Sequence, residues 1–179
     1  MLNYTNVITE EKSYSGLQMK EIKPVMKLVI RGKKREFLSA IGKSLNLLLP
    51  TEANTSSRSD KLTALWLSPD EWMIYTNSMN KEIFDRVFKE ISSLNYGAVT
   101  NVSDQWVCIN ISGNNLYELL SMSCPFDFSK FKETKGSTTQ TIINHIDVII
   151  HNLGDNNINL FVRRSFSNHL WDWLNDGAN

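Results

Sequence analysis

Gly42-Lys43-Ser44 has the residue types that end a phosphate-binding loop, where backbone amides and a lysine cradle phosphate oxygens. That pattern requires a glycine five residues before Gly42, and Phe37 stands there. The segment also has helical apolar spacing rather than a strand-to-helix loop, so phosphate binding of this kind is excluded. Cys108 lies between Val107 and Ile109 and reads as a buried, inert thiol, since a nucleophilic cysteine needs an electropositive setting. Cys124 precedes Pro125 in a turn, where exposure is open to it but no activating group is evident. His145, His151 and His169 do not stand at metal-ligand spacing with either cysteine. His169, beside apolar positions near the C-terminus, reads as a partly buried structural histidine. Asp70 and Glu71 are adjacent at a turn, where side chains do not converge on one substrate. Neither a G-x-G-x-x-G dinucleotide fingerprint nor a G-x-S-x-G nucleophile elbow is present.

The elements that carry these residues follow one grammar twice. Val107, Ile109 and Ile111 alternate with Trp106, Cys108, Asn110 and Ser112, the period of a strand. Gly113 turns the chain, Asn114 or Asn115 caps a short helix through Leu116, Leu119, Leu120 and Met122, and Pro125 closes it. Upstream, Met26 to Gly32 is a strand ending in glycine, and the helix Lys34 to Leu49 follows, with Phe37, Ile41, Leu45 and Leu48 on one stripe. Leu62 to Leu67 and Trp72 to Thr76 form a hairpin about Ser68-Pro69-Asp70-Glu71, with proline in the second position of a type I turn. Asn80 caps a helix with Ile83, Phe84, Val87, Phe88 and Ile91 inward. Later, Thr138 to Ile143, Ile146 to His151 and Ile158 to Val162 are strands. Ser165 caps a last helix whose apolar face is Phe166, Leu170, Trp173 and Leu174.

The expected class is α+β, a duplicated strand-helix-strand-strand-helix unit. Residues 1–22 are expected to form a polar arm, either mobile or lying along a partner, with 23–96 the first repeat and 97–179 the second, in one compact domain. Thr51 to Asp60 reads as a surface loop. Each repeat has little apolar surface of its own, so the two are expected to share sheet edges or a core.

Formal net charge is zero with 41% hydrophobic and 21% charged residues, which removes the electrostatic case for nucleic acid or an anionic membrane. Residues 1–12 lack a basic, then apolar, secretory pattern, and no apolar run approaches the roughly 20 residues that span a bilayer. The expectation is a cytoplasmic chain with reduced cysteines.

Two features point towards a partner. Trp66, Trp72, Trp106, Trp171 and Trp173 are more tryptophans than two small cores require, and tryptophan is enriched at interface centres. The candidates are Trp66 and Trp72 on the hairpin and Trp171 on the last helix, which helical spacing sets away from Leu170 and Trp173. The cluster Arg31, Lys33, Lys34 and Arg35 stands at a helix start, where the macrodipole disfavours cations; such a cluster ordinarily reads as a solvated face, and its placement makes a partner contact the alternative.

W-L-S-P-D-E-W at Trp66 to Trp72, V-S-D-Q-W at Val102 to Trp106, I-S-G with C-P-F-D between Ile111 and Asp127, and R-S-F-S-N-H-L-W-D-W-L at Arg164 to Leu174 together resemble the gamma subunit of heterotetrameric sarcosine oxidase. The resemblance covers most of the chain beyond Leu62. It implies a fold similar to the folate-binding domain of the glycine-cleavage T-protein. It also implies a complex that oxidises sarcosine to glycine and hydrogen peroxide and passes the one-carbon unit to tetrahydrofolate. FAD, FMN, NAD, zinc and tetrahydrofolate are implied for the other subunits and none for this chain, which packs against the large alpha subunit, with beta and delta completing the complex. No catalytic residue carries over. The alternative from a different class is a stand-alone folate-dependent aminomethyl- or methyl-transfer protein of the T-protein type.

Overall fold

The computed structural model describes residues 5–22, 26–33, 35–76, 81–94 and 96–179. Two compact units divide the chain: Pro24–Ser103, and Met1–Lys23 together with Asp104–Asn179. The central unit carries strand β3 (Met26–Arg31), helix α1 (Arg35–Leu45), β4 (Ser56–Arg58), β5 (Thr63–Ser68), β6 (Glu71–Thr76), α2 (Lys81–Leu94) and β7 (Ala98–Asn101). Its sheet runs β4-β5-β6-β3-β7. The other unit carries β1 (Lys12–Tyr14), β2 (Leu17–Glu21), β8 (Trp106–Ser112), α3 (Leu116–Ser121), β9 (Thr138–Ile143), β10 (Ile146–Gly154), β11 (Asn157–Arg163) and α4 (Ser167–Ala178), in a sheet ordered β1-β2-β8-β11-β10-β9.

The duplication is visible in these orders. β3, α1, β4, β5, β6 and α2 correspond to β8, α3, β9, β10, β11 and α4, and in both sheets the strand order is the same. Each sheet takes its next strand from the stretch that leads into the other repeat. β2 precedes β3 in the chain but pairs with β8, from Gln18↔Ser112 to Glu21↔Ile109. β7 precedes β8 but pairs with β3, from Leu28↔Asn101 to Arg31↔Ala98. Both ladders extend by one further bond of 2.9 Å, from Ile22 N to the Cys108 carbonyl and from Val102 N to the Lys27 carbonyl. The expected sharing of sheet edges thus takes the form of an exchanged strand.

That exchange corrects the expected boundaries. The expected arm is not free over its described residues, because Lys12–Tyr14 and Leu17–Glu21 are strands of the second sheet. Leu17, Met19 and Glu21 are buried in strict alternation with Gln18 and Lys20, a period-two pattern that the polar composition hides. Glu21 is tolerated there because its Oε2 accepts the backbone N–H groups of Val7 at 2.9 Å and Ile8 at 2.8 Å. The expected boundary between 96 and 97 also moves: residues 98–101 still pair with β3, so the central unit runs on to Ser103. The stretch 51–60 is not wholly loop either, since Ser56–Arg58 adds edge strand β4 to β5.

Each unit has its own core. In the central unit Leu28, Ile30, Phe37, Ile41, Ala64, Ile74 and Val87 are fully buried. In the other, Val107, Ile109, Ile111, Leu116, Leu120, Leu160 and Leu174 are. Each buried Val, Leu, Ile or Phe among them contributes roughly 1.5–3 kcal/mol relative to exposure. Turn chemistry sets the registers of the second sheet. Asn144 and His145 between β9 and β10, and Asp155 and Asn156 between β10 and β11, all have positive φ (46°, 65°, 54° and 51°). Paired positive φ values define the hairpin turn whose twist matches the strands. Gly113 (φ 131°) is required by close approach: a Cβ there would lie 2.0 Å from the Gly16 carbonyl oxygen on the β1–β2 turn.

Helix α1 ends at Leu45, short of the expected Leu49. Asn46 takes a left-handed conformation (φ 50°), its N–H bonds the Lys43 carbonyl at 3.3 Å, and Leu47 N–H bonds the Gly42 carbonyl at 3.0 Å. This pair of bonds is the Schellman termination of a helix. It turns the chain so that Leu47 and Leu49 enter the core while Leu48, expected on the buried stripe, is 83% exposed.

Candidate functional site

The expected basic cluster lies at the junction of β3 and α1, beside the tip of the β5–β6 hairpin. Arg31 stands directly opposite Glu71 across β3 and β6, with Nη2 3.2 Å from Oε2. Lys33 Nζ is 3.6 Å from Asp70 Oδ2, and Gly32 N–H donates to the Asp70 carbonyl at 3.0 Å. Gly32 is hemmed in from behind, where a Cβ would lie 2.6 Å from the Phe37 ring. The acidic turn and the basic cluster, separate in the sequence, therefore face each other. Lys34 lies outside the described residues. Arg35 is exposed at the first turn of α1.

Asp70 is held below the usual carboxylate range, first by the Ser68 hydroxyl donating to Oδ1 at 2.8 Å and then by the nearby charges of Lys33 and Arg31. Both cations remain mostly in water, so solvent screens each pair and neither adds much to stability. Arg31, Gly32, Lys33, Asp70, Tyr96, Gly97 and Ala98 line an open pocket of about 510 Å³. It has cations and a carboxylate already matched to one another, which suits surface recognition more than catalysis.

The tryptophans are placed differently from expectation. Trp72 is 2% exposed, packs in the core against Phe37 (ring centroids 6.4 Å apart) and donates Nε1–H to the Pro50 carbonyl at 2.7 Å. It is a core residue. Trp171 is likewise buried, at 8%, within the second core. The buried face of α4 is turned from the expected one. A turn of 3₁₀ helix occupies Arg164–Phe166, and α4 starts at Ser167, which is fully buried and donates its hydroxyl to the Arg164 carbonyl at 2.8 Å. At 100° per residue, Ser167, Leu170, Trp171, Leu174 and Ala178 share one arc of about 100°. That arc is the buried face, so Trp171 turns inward, Trp173 sits at its margin and Phe166 is 52% exposed. Trp66 alone of the three proposed contacts is only half-buried. Trp106 is buried under the Arg163 guanidinium, 4.2 Å from its ring centroid.

Among the described residues, the large apolar side chains that do reach solvent are others: Leu48, Phe88, Met122, Ile142 and Phe166. Phe88 was expected inward, but on α2 the buried positions are Ile83, Val87 and Ile91, and Phe88 stacks on Phe84 at the helix margin. Leu48 borders a groove of about 590 Å³ between the outer side of α1 and residues 46–51. The sequence signal for it was Asn46, a residue that tolerates the left-handed turn ending a helix early.

The residues with reactive types stay apart. Cys108 is buried, as expected; Cys124 is buried too, with Sγ 3.6 Å from Thr141 Oγ1, because the turn before Pro125 folds onto β9. His151 is buried, while His169 is exposed, correcting the partly buried reading, with Nε2 3.5 Å from Asn144 Nδ2. Gly42-Lys43-Ser44 lies inside α1. Among the described residues no three His, Cys, Asp or Glu side chains converge as a metal site would need.

Residues 32–179 match the family model described as "Sarcosine oxidase, gamma subunit family". The chain belongs to that family. As a sarcosine oxidase gamma-family member it is similar to a chain of the heterotetrameric sarcosine oxidase from Corynebacterium sp. U-96, a structure in complex with pyrrole 2-carboxylate. The TM-score is 0.86 at 20% identity, over 93% of this chain and 86% of that one. It is also similar to the glycine cleavage system aminomethyltransferase T from Bartonella henselae, with a TM-score of 0.65 at 15% identity, over 89% of this chain but 45% of that one. At these identities the likeness concerns the fold, which is α+β and T-protein-like, as the family resemblance implied. No curated protein sequence matches the chain. No helix among the described residues is long and apolar enough to cross a membrane.

Proposed function

We propose that this gamma-family chain is a structural, assembly subunit of a heterotetrameric sarcosine oxidase. The complex demethylates sarcosine oxidatively to glycine with formation of peroxide and transfers the one-carbon unit to tetrahydrofolate. The observation that carries this reading is membership of the gamma-subunit family across residues 32–179, supported by likeness to most of one chain of a heterotetrameric enzyme. In this reading the alpha subunit is the direct partner and beta and delta complete the complex in the cytoplasm. FAD, FMN, NAD, zinc and tetrahydrofolate reside on the other subunits. The partner-facing surface includes the Arg31, Lys33 and Arg35 edge and the solvent-reaching margin of Trp66, which otherwise packs on the core with Trp72; Trp171 serves the other core.

The purified chain is expected to be colourless and to form no peroxide from sarcosine, while co-expression with the other three subunits recovers it in a four-component complex. A bound flavin spectrum, or turnover by the chain alone, would refute the reading.

The T-protein likeness favours a second reading, a folate-dependent aminomethyl- or methyl-transfer protein. A pterin-binding site would need a carboxylate free to reach the ring. Glu21, the buried acid among the described residues, already has its Oε2 engaged by Val7 and Ile8. Calorimetry with tetrahydrofolate separates the two readings: no binding tighter than about 1 mM is expected, and micromolar binding would favour the transfer protein.

A further inference from the structure

We propose that the groove between α1 and residues 46–51 receives an amphipathic helix of another subunit, with an apolar side chain seated on Leu48 and carboxylates facing Arg35 and Lys43. The inference rests on the assembly reading above and names the surface and the chemistry of its partner.

Leu48 is exposed by construction. The Schellman turn at Asn46 places Leu47 and Leu49 in the core at 4% and 8% exposure, which leaves the side chain between them 83% exposed. Its backbone is also fixed, because the Ser57 hydroxyl on edge strand β4 donates to the Leu48 carbonyl. A leucine held outward between two anchored neighbours has lost most of its freedom to fold back onto its own surface. Apolar side chains presented in this way are suited to a partner, since little ordering remains to oppose binding. The groove beside it is about 590 Å³ and lined by Leu38, Gly42, Leu47 and Leu49 among others.

Charge states what the occupant must carry. Arg35 and Lys43 both line the groove, no carboxylate does, and neither cation is in a salt bridge among the described residues. Eight residues apart on α1, they stand about 12 Å apart along its axis and about 80° apart around it, both on the α1 side of the groove. An occupant with apolar residues at its centre and carboxylates two helical turns apart complements that side, and an acidic margin steers its approach. The adjoining cations Arg31 and Lys33 differ, being already matched by Glu71 and Asp70.

The test uses the co-expressed assembly. Leu48→Asp should leave the melting temperature of the isolated chain within about 3 °C, as for a surface change. It should weaken incorporation into the complex by about tenfold or more. Arg35→Glu combined with Lys43→Gln should weaken it similarly and flatten its salt dependence. A photo-crosslinker at position 48 should capture an acidic, amphipathic helical peptide of another subunit. Wild-type incorporation with both variants incorporating equally well would overturn the groove assignment while leaving the subunit reading intact. A crosslink to a second copy of this chain would also overturn it. Failure of the wild-type chain itself to join a complex would instead remove the subunit reading on which it stands.

Discussion

Trp66 and Trp72 stand directly opposite each other across the β5–β6 hairpin, yet one is half-buried and the other is sealed at 2% exposure. Opposed positions of an antiparallel pair point to the same side of the sheet. The two indoles therefore share the core-facing side, and the difference between them is position: Trp72 is closed over by Phe37 and by the Pro50 carbonyl.

Trp72→Phe keeps most of the volume but removes the only donor on that side chain. The buried Pro50 carbonyl then lacks its indole partner, which should cost about 1–3 kcal/mol. Trp72→Ala should cost about 3–5 kcal/mol, as large truncations in cores do. Trp66→Ala should be clearly milder than Trp72→Ala. Urea unfolding of the three variants checks the order, and equal losses at the two tryptophans would contradict it.

Trp171→Ala is expected to destabilise the chain by about 3–5 kcal/mol, because the side chain belongs to the core that also holds Leu170 and Leu174. This reverses the effect expected of an exposed interface residue, for which the loss would stay within about 0.5 kcal/mol. Thermal melting of the isolated chain decides between them.

Asn46 is the hinge on which the groove depends. Asn46→Gly should be neutral or slightly stabilising, since glycine enters the left-handed region without penalty. Asn46→Val should cost about 1–2 kcal/mol, and more if the Leu47–Gly42 bond is lost with it. Denaturant midpoints report the energies, and fluorescence from a probe at position 48 reports whether the turn has moved.

Asp70 sets a pH dependence of known sign. Its folded pKa lies below the unfolded value, so the charged form is favoured in the fold. The associated stabilisation is present above the ordinary carboxylate range and is lost as pH falls through the folded value. Ser68→Ala removes the main cause and should move the Asp70 titration back up towards the ordinary range. Carboxyl NMR titration measures this directly, and an unchanged Asp70 midpoint would show that the hydroxyl is not responsible.

The strands, helices and their doubling were legible because each is a local periodicity. Val107, Ile109 and Ile111 alternate, Ile83, Val87 and Ile91 recur at helical spacing, and Asn144–His145 marks a turn. The inert surroundings of Cys108 were legible for the same reason. Local pattern could not say which sheet a strand joins. Leu17-Gln18-Met19 and Ala98 to Asn101 are short strands whose partners lie about 90 and 70 residues away, so only the folded chain shows that each completes the sheet of the other repeat. Nor could it say which arc of a helix faces the core. On α4 the buried arc centres on Ser167 and Leu174, which takes in Trp171, only about 100° from Leu170, and leaves Phe166, in the preceding 3₁₀ turn, in water. The ion pairs of Arg31 with Glu71 and Lys33 with Asp70 belong to the same class, because 37 or more residues separate charges that only the β3–β6 pairing brings within reach. Residue types dictate what each segment can bury, while the pairing of distant segments decides what is left exposed for a partner.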